Sequence, residues 1–203
     1  YAYSKRMLEM LCNQYNKNYN REYICVIPVN LYGPYDNFSL SDGHFIPMIV
    51  NRFQKLKDEY RNVKPFRSNN SFLRLLGCTS FDSACEDYVA YGTGKPLRQF
   101  LYAPDFADLI LKILFDKHSE KLLICCNDNE YTIKEVVERI ANIMHIDKKK
   151  IVWDNSKSDG CLKKTVTNMK LRSLYPNYKF TDLNFGLVMT YKWFIENYEN
   201  IRN

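Results

Sequence analysis

Apolar residues recur at helical spacing from the start of the chain. Tyr3, Met7, Leu8, Leu11, Cys12 and Tyr15 define one face of a helix over residues 1–18, and Met10 widens that face enough for burial on two sides. The unbroken run Tyr23 to Leu31 (YICVIPVNL) reads as a buried strand, closed by Gly33-Pro34. A polar loop through Asp42-Gly43 leads into a second helix with Phe45, Ile46, Ile49, Val50, Phe53 and Leu56 on one side. Residues 58–86 have no clean period and read as an insertion or flexible surface loop. Short strands follow at Asp87–Tyr91 and Arg98–Tyr102, with the turn Gly92–Pro96 between them. Pro104 and Asp105 open a helix carrying Phe106, Leu109, Ile110, Ile113 and Leu114. Lys121 to Asn127 is a strand, and Thr132-Ile133-Lys134-Glu135 has the form of a capping box heading a helix. Lys150 to Asp154 is a further strand, then a polar loop runs to about Asn168. The last helix carries Leu187, Val188, Tyr191, Phe194, Ile195 and Tyr198. Alternation of strand and helix makes the class α/β, with too few strands for a complete doubly wound sheet.

Composition narrows this picture modestly. The 203 residues are 46% hydrophobic and 26% charged, as in ordinary globular chains, and suffice for one sizeable domain. The net charge of +6 suits an anionic small ligand. Nucleic acid is disfavoured, because Lys and Arg are dispersed and the single run Lys148-Lys149-Lys150 reads as a solvated loop. No stretch approaches the roughly 20 apolar residues of a membrane span. Seven cysteines without a Cys-x-x-Cys pair point to reduced thiols and a cytoplasmic protein, and Cys78 and Cys85 have neither zinc spacing nor a nearby His, so no metal site is expected.

Two places carry candidate chemistry. Tyr1 and Lys5 are one helical turn apart, so both can face one ligand. An adjacent ammonium favours the phenolate of a tyrosine and turns a weak acid into a usable proton donor beside nicotinamide chemistry. In so Tyr- and Lys-rich a chain the spacing also arises by chance. His44 stands at the start of an apolar helix, where it serves either as a general acid or base or as an ordinary exposed residue. Arg52, Arg98 and Lys164 can meet phosphates; Arg98, in an apolar strand, needs an anionic partner, either a ligand or a structural carboxylate. Gly92-x-Gly94 is too short for a dinucleotide loop, and Ser156–Gly160 is a polar loop able to touch a sugar.

Taken in order, Tyr1-Ala2-Tyr3-Ser4-Lys5, Ile27–Pro34 (IPVNLYGP), Asp36-Asn37-Phe38, Gly43-His44-Phe45-Ile46-Pro47, Tyr91–Phe100 (YGTGKPLRQF) and Lys157-Ser158-Asp159-Gly160 resemble the GDP-L-fucose synthases, a family of extended short-chain dehydrogenases/reductases. The resemblance implies a fold: the C-terminal part of a Rossmann-type enzyme, with residues 1–43 ending the dinucleotide-binding domain and 44–203 mainly a smaller substrate domain. It implies NADP(H) as cofactor, a GDP-sugar as substrate and a homodimer through the 1–18 helix. The implied activity is epimerisation at C3 and C5 of GDP-4-keto-6-deoxy-mannose followed by reduction at C4. Tyr1 would protonate the C4 oxygen, and Lys5 would tune it and bond the nicotinamide ribose. Pro28, Val29, Asn30 and Leu31 would line the nicotinamide pocket. His44 would be the epimerisation acid and lie against the cofactor. Arg52, Tyr91, Arg98 and Asp159 would bind the GDP-sugar, with Tyr91 standing where Trp is usual.

No glycine-rich phosphate loop precedes Tyr1, so the chain reads as the C-terminal portion of such an enzyme, inactive by itself. Two other readings stay open: a related nucleotide-sugar epimerase or dehydratase, and a non-catalytic nucleotide-sugar-binding or dimerisation module.

Overall fold

The computed structural model describes residues 1–68, 87–116 and 118–201, apart from the side chains of 60–68. In chain order the elements are α1 (Ala2–Tyr19), β1 (Cys25–Pro28), β2 (Asn30–Tyr32), α2 (Phe45–Ser68), β3 (Tyr88–Tyr91), β4 (Leu97–Arg98), β5 (Phe100–Tyr102), α3 (Ala103–Phe115), β6 (Leu122–Cys125), β7 (Tyr131–Thr132), α4 (Ile133–Ile143), β8 (Ile151–Asp154), β9 (Lys163–Lys164), α5 (Met169–Leu174) and α6 (Leu183–Glu196). They fall into two compact units. The first joins Tyr1–Gly33, Leu97–Tyr131 and Lys163–Gly186; the second joins Pro34–Pro96, Thr132–Leu162 and Leu187–Asn203. The chain therefore leaves the first unit at Gly33, where the resemblance implies residue 43, and returns to it twice.

The first unit is built on parallel strand pairs, the pattern expected when crossovers separate the strands. β1 runs beside β6, from Cys25 opposite Leu122 to Pro28 opposite Cys125. β2 runs beside β5, and β4 beside β9. Leu101, Leu109, Ile113, Leu123, Cys125 and Leu171 form its core, drawn from β5, α3, β6 and α5. The expected single strand Tyr23–Leu31 is in fact two. Pro28 has no N–H to continue a ladder, so Val29 makes the last rung to the Cys125 carbonyl at 3.1 Å. Asn30 then starts a new pairing opposite Phe100. The expected strand Arg98–Tyr102 splits in the same way at Gln99. Its side chain turns inward, donating to the carbonyls of Asn127 (3.2 Å) and Val166 (3.1 Å) and accepting from the Val166 N–H (2.8 Å). Gln99 is 3% exposed, and this amide satisfies backbone groups that water cannot reach.

The second unit packs α2 against α4 and against β3, with β3 and β8 paired in parallel. The apolar face read from the sequence is the buried one: Ile46, Ile49, Val50 and Phe53 are all within 2% of full burial. Phe53 meets Tyr88 edge-on at 5.2 Å, and Phe38 meets Phe194 of α6 at 4.8 Å. α4 is headed by a complete capping box: the Thr132 hydroxyl accepts from the Glu135 N–H while the Glu135 carboxylate accepts from the Thr132 N–H.

Several expectations are corrected. α2 continues to Ser68, so residues 58–68 are helix rather than loop, and residues 69–86, with Cys78 and Cys85, lie outside the described residues. Lys148–Lys150 form one exposed 3-10 turn capped by the Asp147 carboxylate, not a loop. The polar stretch before Asn168 contains β9, and α5 follows it. α1 forms as expected but buries no residue; Tyr3 is 87% exposed. No described helix is long and apolar enough to cross a membrane.

The capping box supplies a pH prediction. Hydrogen bonds from the Thr132 N–H, then from its hydroxyl, hold the Glu135 carboxyl below the usual carboxylate range. A depressed carboxyl stabilises the fold above its unfolded value, about 4.3, and that contribution is lost as pH falls through the lower folded value. Glu135→Gln should therefore lower the melting midpoint at neutral pH, and the gap to the native protein should close below about pH 4. Thermal melts across pH 2.5–7 check this.

Candidate active site

In the first unit α1 brings Tyr1 and Lys5 together. The Lys5 Nζ sits 5.3 Å from the centre of the Tyr1 ring, and the Lys5 N–H donates to the Tyr1 carbonyl at 3.1 Å, the first helical bond. Tyr1 is 95% exposed, and no carboxylate among the described residues pairs with Lys5. Pro28 ends β1 and Val29 follows it, at the carboxyl end of the strand, where ligands of parallel α/β sheets bind. Asn30 is fixed by donation of its side chain to the Gln99 carbonyl at 2.8 Å. Arg98 lies half-buried next to Gln99. Its guanidinium donates to its neighbour's carbonyl, Leu97, at 2.8 Å, and no described carboxylate pairs with it. The structural-carboxylate option for Arg98 thus has no support among the described residues.

In the second unit a closed loop presents His44. Asn37 accepts from the Ser39 N–H (3.1 Å), the Gly43 N–H donates to the Ser39 carbonyl (3.0 Å), and Phe38 between them is fully buried. The buried Asn51 of α2 holds the Phe38 carbonyl at 2.7 Å. A Cβ at Gly43 would stand 2.3 Å from the Ser39 oxygen and 2.7 Å from the Asn37 oxygen, so only glycine closes this turn. The Asp36-Asn37-Phe38 and Gly43-His44 segments are therefore halves of one loop. His44 emerges from it into α2, with its imidazole exposed and its Nδ1 3.5 Å from the Asp36 carboxylate.

Farther along α2, about two turns after His44, the Arg52 guanidinium lies on the face of Tyr91 with 4.1 Å to the ring centre. Its Nη1 is buried without a hydrogen-bond partner among the described residues. A buried donor on a cation left unmatched is costly, and an anionic oxygen supplied by a ligand satisfies it. Lys157 adds a second cation 5.8 Å from the same ring. Asp159 is placed differently: both of its oxygens accept from Thr93, one from the N–H at 2.6 Å and one from the hydroxyl at 2.7 Å. This clamps the turn at Gly92, whose φ of +81° and missing Cβ admit the carboxylate. Thr93, Lys157 and Asp36 lie inside motifs that the sequence marks, but the sequence gives none of them a role of its own. Asp36 belongs to a motif that the sequence did flag, but its eight-residue separation from His44 spans a loop and has no helical or strand period.

Burial pushes the Cys125 thiol up to about 12 and Cys126 to about 11, so neither is a nucleophile. Among the described residues no cluster of His, Cys, Asp and Glu could hold a metal ion.

Parallel strand pairs alternating with helices place the chain among the α/β folds. Residues 1–125 match the NAD dependent epimerase/dehydratase family, and the chain belongs to that family. It is 37% identical to the GDP-L-fucose synthase of Dictyostelium discoideum over all of its length and 56% of the relative's. It is 36% identical to the probable GDP-L-fucose synthase of Drosophila melanogaster, again over its full length and 58% of the relative's. A crystal structure of a GDP-L-fucose synthetase from Naegleria fowleri bound to NADP superposes on the whole chain with a TM-score of 0.83 at 34% identity, covering 57% of that chain. The chain thus spans a little over half the length of the relatives it matches.

Closure of the 36–44 loop is directly testable. Gly43→Ala forces backbone oxygens apart, an overpacking cost of about 1–3 kcal/mol. The expected result is a lower denaturation midpoint with the Asn51 and Phe38 resonances shifted; an unchanged midpoint would show that the loop opens at no cost.

Proposed function

We propose that the protein carrying this chain converts GDP-4-keto-6-deoxy-mannose to GDP-L-fucose, by epimerisation at C3 and C5 and NADPH-dependent reduction at C4. The observation that carries the reading is the Arg52–Tyr91 pair: a stacked guanidinium with a buried, unmatched donor, on the helix that His44 leads into. An anionic nucleotide end and an acid–base at the sugar are what this reaction requires. Similarity to GDP-L-fucose synthases along the whole chain supports the choice of substrate.

The residues present fit the nicotinamide end of NADP(H): Pro28 and Val29 offer an apolar wall, and Tyr1 and Lys5 offer a phenol and an ammonium that no described carboxylate engages. When bound, the nicotinamide supplies a hydride to C4. Tyr1 gives its phenolic proton to the C4 oxygen, and the Lys5 ammonium favours the resulting phenolate. Leu31 and Asn30 continue the wall, with Asn30 held by Gln99. His44 exchanges a proton with the sugar carbons during epimerisation. Arg52, Arg98 and Lys157 meet the diphosphate, Tyr91 stacks on a planar or apolar face of the ligand, and Asp159 shapes the Gly92–Thr93 turn beside it.

Two further parts belong to the same reading. The exposed apolar stripe of α1, from Tyr3 through Met7, Leu8 and Leu11, pairs with a second copy to form a homodimer. The thiols of Cys12, Cys25, Cys125 and Cys126, none of them in a disulfide, suit a reducing, cytoplasmic setting.

The two chemistries separate by mutation in the native protein. Tyr1→Phe should lower C4 reduction by roughly 10²–10⁴-fold, the scale of general acid catalysis. His44→Asn should abolish deuterium uptake from heavy water at C3 and C5 while an already epimerised keto-sugar is still reduced. Unchanged deuterium uptake in His44→Asn would refute the role of His44, and undiminished reduction in Tyr1→Phe would refute that of Tyr1.

A further inference from the structure

We infer that Asp36 is a positioning residue for His44, fixing the imidazole with its proton on Nδ1 and leaving Nε2 as the nitrogen that works on the substrate. This rests on the reading of His44 given above and extends it to a residue not otherwise assigned a role.

The geometry supports the pairing from both sides. Asp36 has a side chain only 15% exposed, whereas that of His44 is 78% exposed. The carboxylate is thus the fixed partner and the imidazole the presented one. Asp36 is fixed locally, because its Oδ1 accepts the Asn37 N–H at 2.7 Å. That same oxygen lies 3.5 Å from the His44 Nδ1. The residues around Asp36 make specific contacts. Tyr35 adopts φ +65°, a left-handed conformation that a bulky residue rarely takes, and its exposed ring lies tilted against Trp193 with 4.8 Å between centres. Phe38 is buried against Trp193 and Phe194. A left-handed non-glycine residue costs backbone energy, and such residues cluster at functional sites.

The chemical consequence follows from the two nitrogens of imidazole. A carboxylate beside Nδ1 favours the proton there, in the neutral ring and in the cation alike. Nε2, on the opposite edge, then gains or loses the proton that moves to and from carbon. Without the carboxylate the ring is free to rotate and to place its single proton on either nitrogen, so a fraction of molecules presents the wrong atom.

The test uses long-range proton–nitrogen NMR of the imidazole rings in the native protein. There are three histidines, and His44→Asn assigns the His44 signals by difference. The expected result is a neutral His44 protonated on Nδ1, with Asp36→Asn shifting it towards the Nε2-protonated form. Asp36→Asn retains an acceptor for the Asn37 N–H, so its melting midpoint should stay close to native. Its deuterium uptake at C3 and C5 should fall at least roughly tenfold, with about 10⁴-fold as the scale reached when an amide replaces a carboxylate that sets a histidine tautomer. Asp36→Glu should recover part of that loss. An Nε2-protonated His44 in the native protein, or a tautomer unaltered in Asp36→Asn, would overturn the inference. So would a loss of uptake that tracks a fallen melting midpoint and is not recovered by Asp36→Glu. If the NMR result holds but His44→Asn keeps its deuterium uptake, the positioning stands and the catalytic role of His44 is what fails.

Discussion

Backbone closure at residue 43 is the constraint on which the second unit's chemistry depends. The chain must reverse between Asp36 and His44 with no strand or helix to guide it. It does so because two carbonyl oxygens can approach a residue that has no Cβ. With the turn closed, Phe38 lies in the core, Asn51 of α2 holds its carbonyl, and the His44 carbonyl accepts the first hydrogen bond of α2 from the Met48 N–H. A buried phenylalanine and a buried asparagine therefore determine where an exposed histidine stands. The energies are ordinary: burial of one aromatic side chain, about 2–3 kcal/mol, and one buried hydrogen bond, about 1 kcal/mol.

The first unit solves a different problem, which is how to change strand partners without leaving backbone groups unmatched. Pro28 ends one pairing because it lacks a donor, and Gln99 ends another by turning its amide inward. Both breaks occur where the proposed cofactor and nucleotide residues lie. Asn30 is anchored on the Gln99 carbonyl, and Arg98 precedes Gln99. Asp128 and Arg172 reinforce the same region: the arginine's hydrogen bonds hold the Asp128 carboxyl below its usual range, and Asn168 donates to it as well.

How much of this was legible in the sequence depended on period. The amphipathic helices α1, α2, α3 and α6 declared themselves through apolar spacing, and α4 through its capping box as well. β9 is two lysines and has no pattern to read, and α5 is barely longer than one turn. The extended runs Tyr23–Leu31 and Arg98–Tyr102 looked continuous because β-propensity does not reveal which neighbour a strand pairs with. At the site, Arg52 and Tyr91 were both named, yet their stacking comes from tertiary packing of α2 on β3. Asp36 was visible within its motif, but its alignment with His44 depends on a turn geometry that only the folded loop displays. Asp159 belongs to a polar loop that the sequence marks, but its two bonds to Thr93 come from tertiary contact and are invisible in a linear sequence.

The proposed function requires that the protein both invert two carbons of the sugar and reduce a third. Product analysis tests it most directly. The native protein is incubated with GDP-4-keto-6-deoxy-mannose and NADPH in heavy water, and the nucleotide sugar is examined by NMR. The account predicts GDP-L-fucose carrying deuterium at C3 and C5. A C4-reduced sugar with the original configuration and hydrogen at both carbons would contradict it.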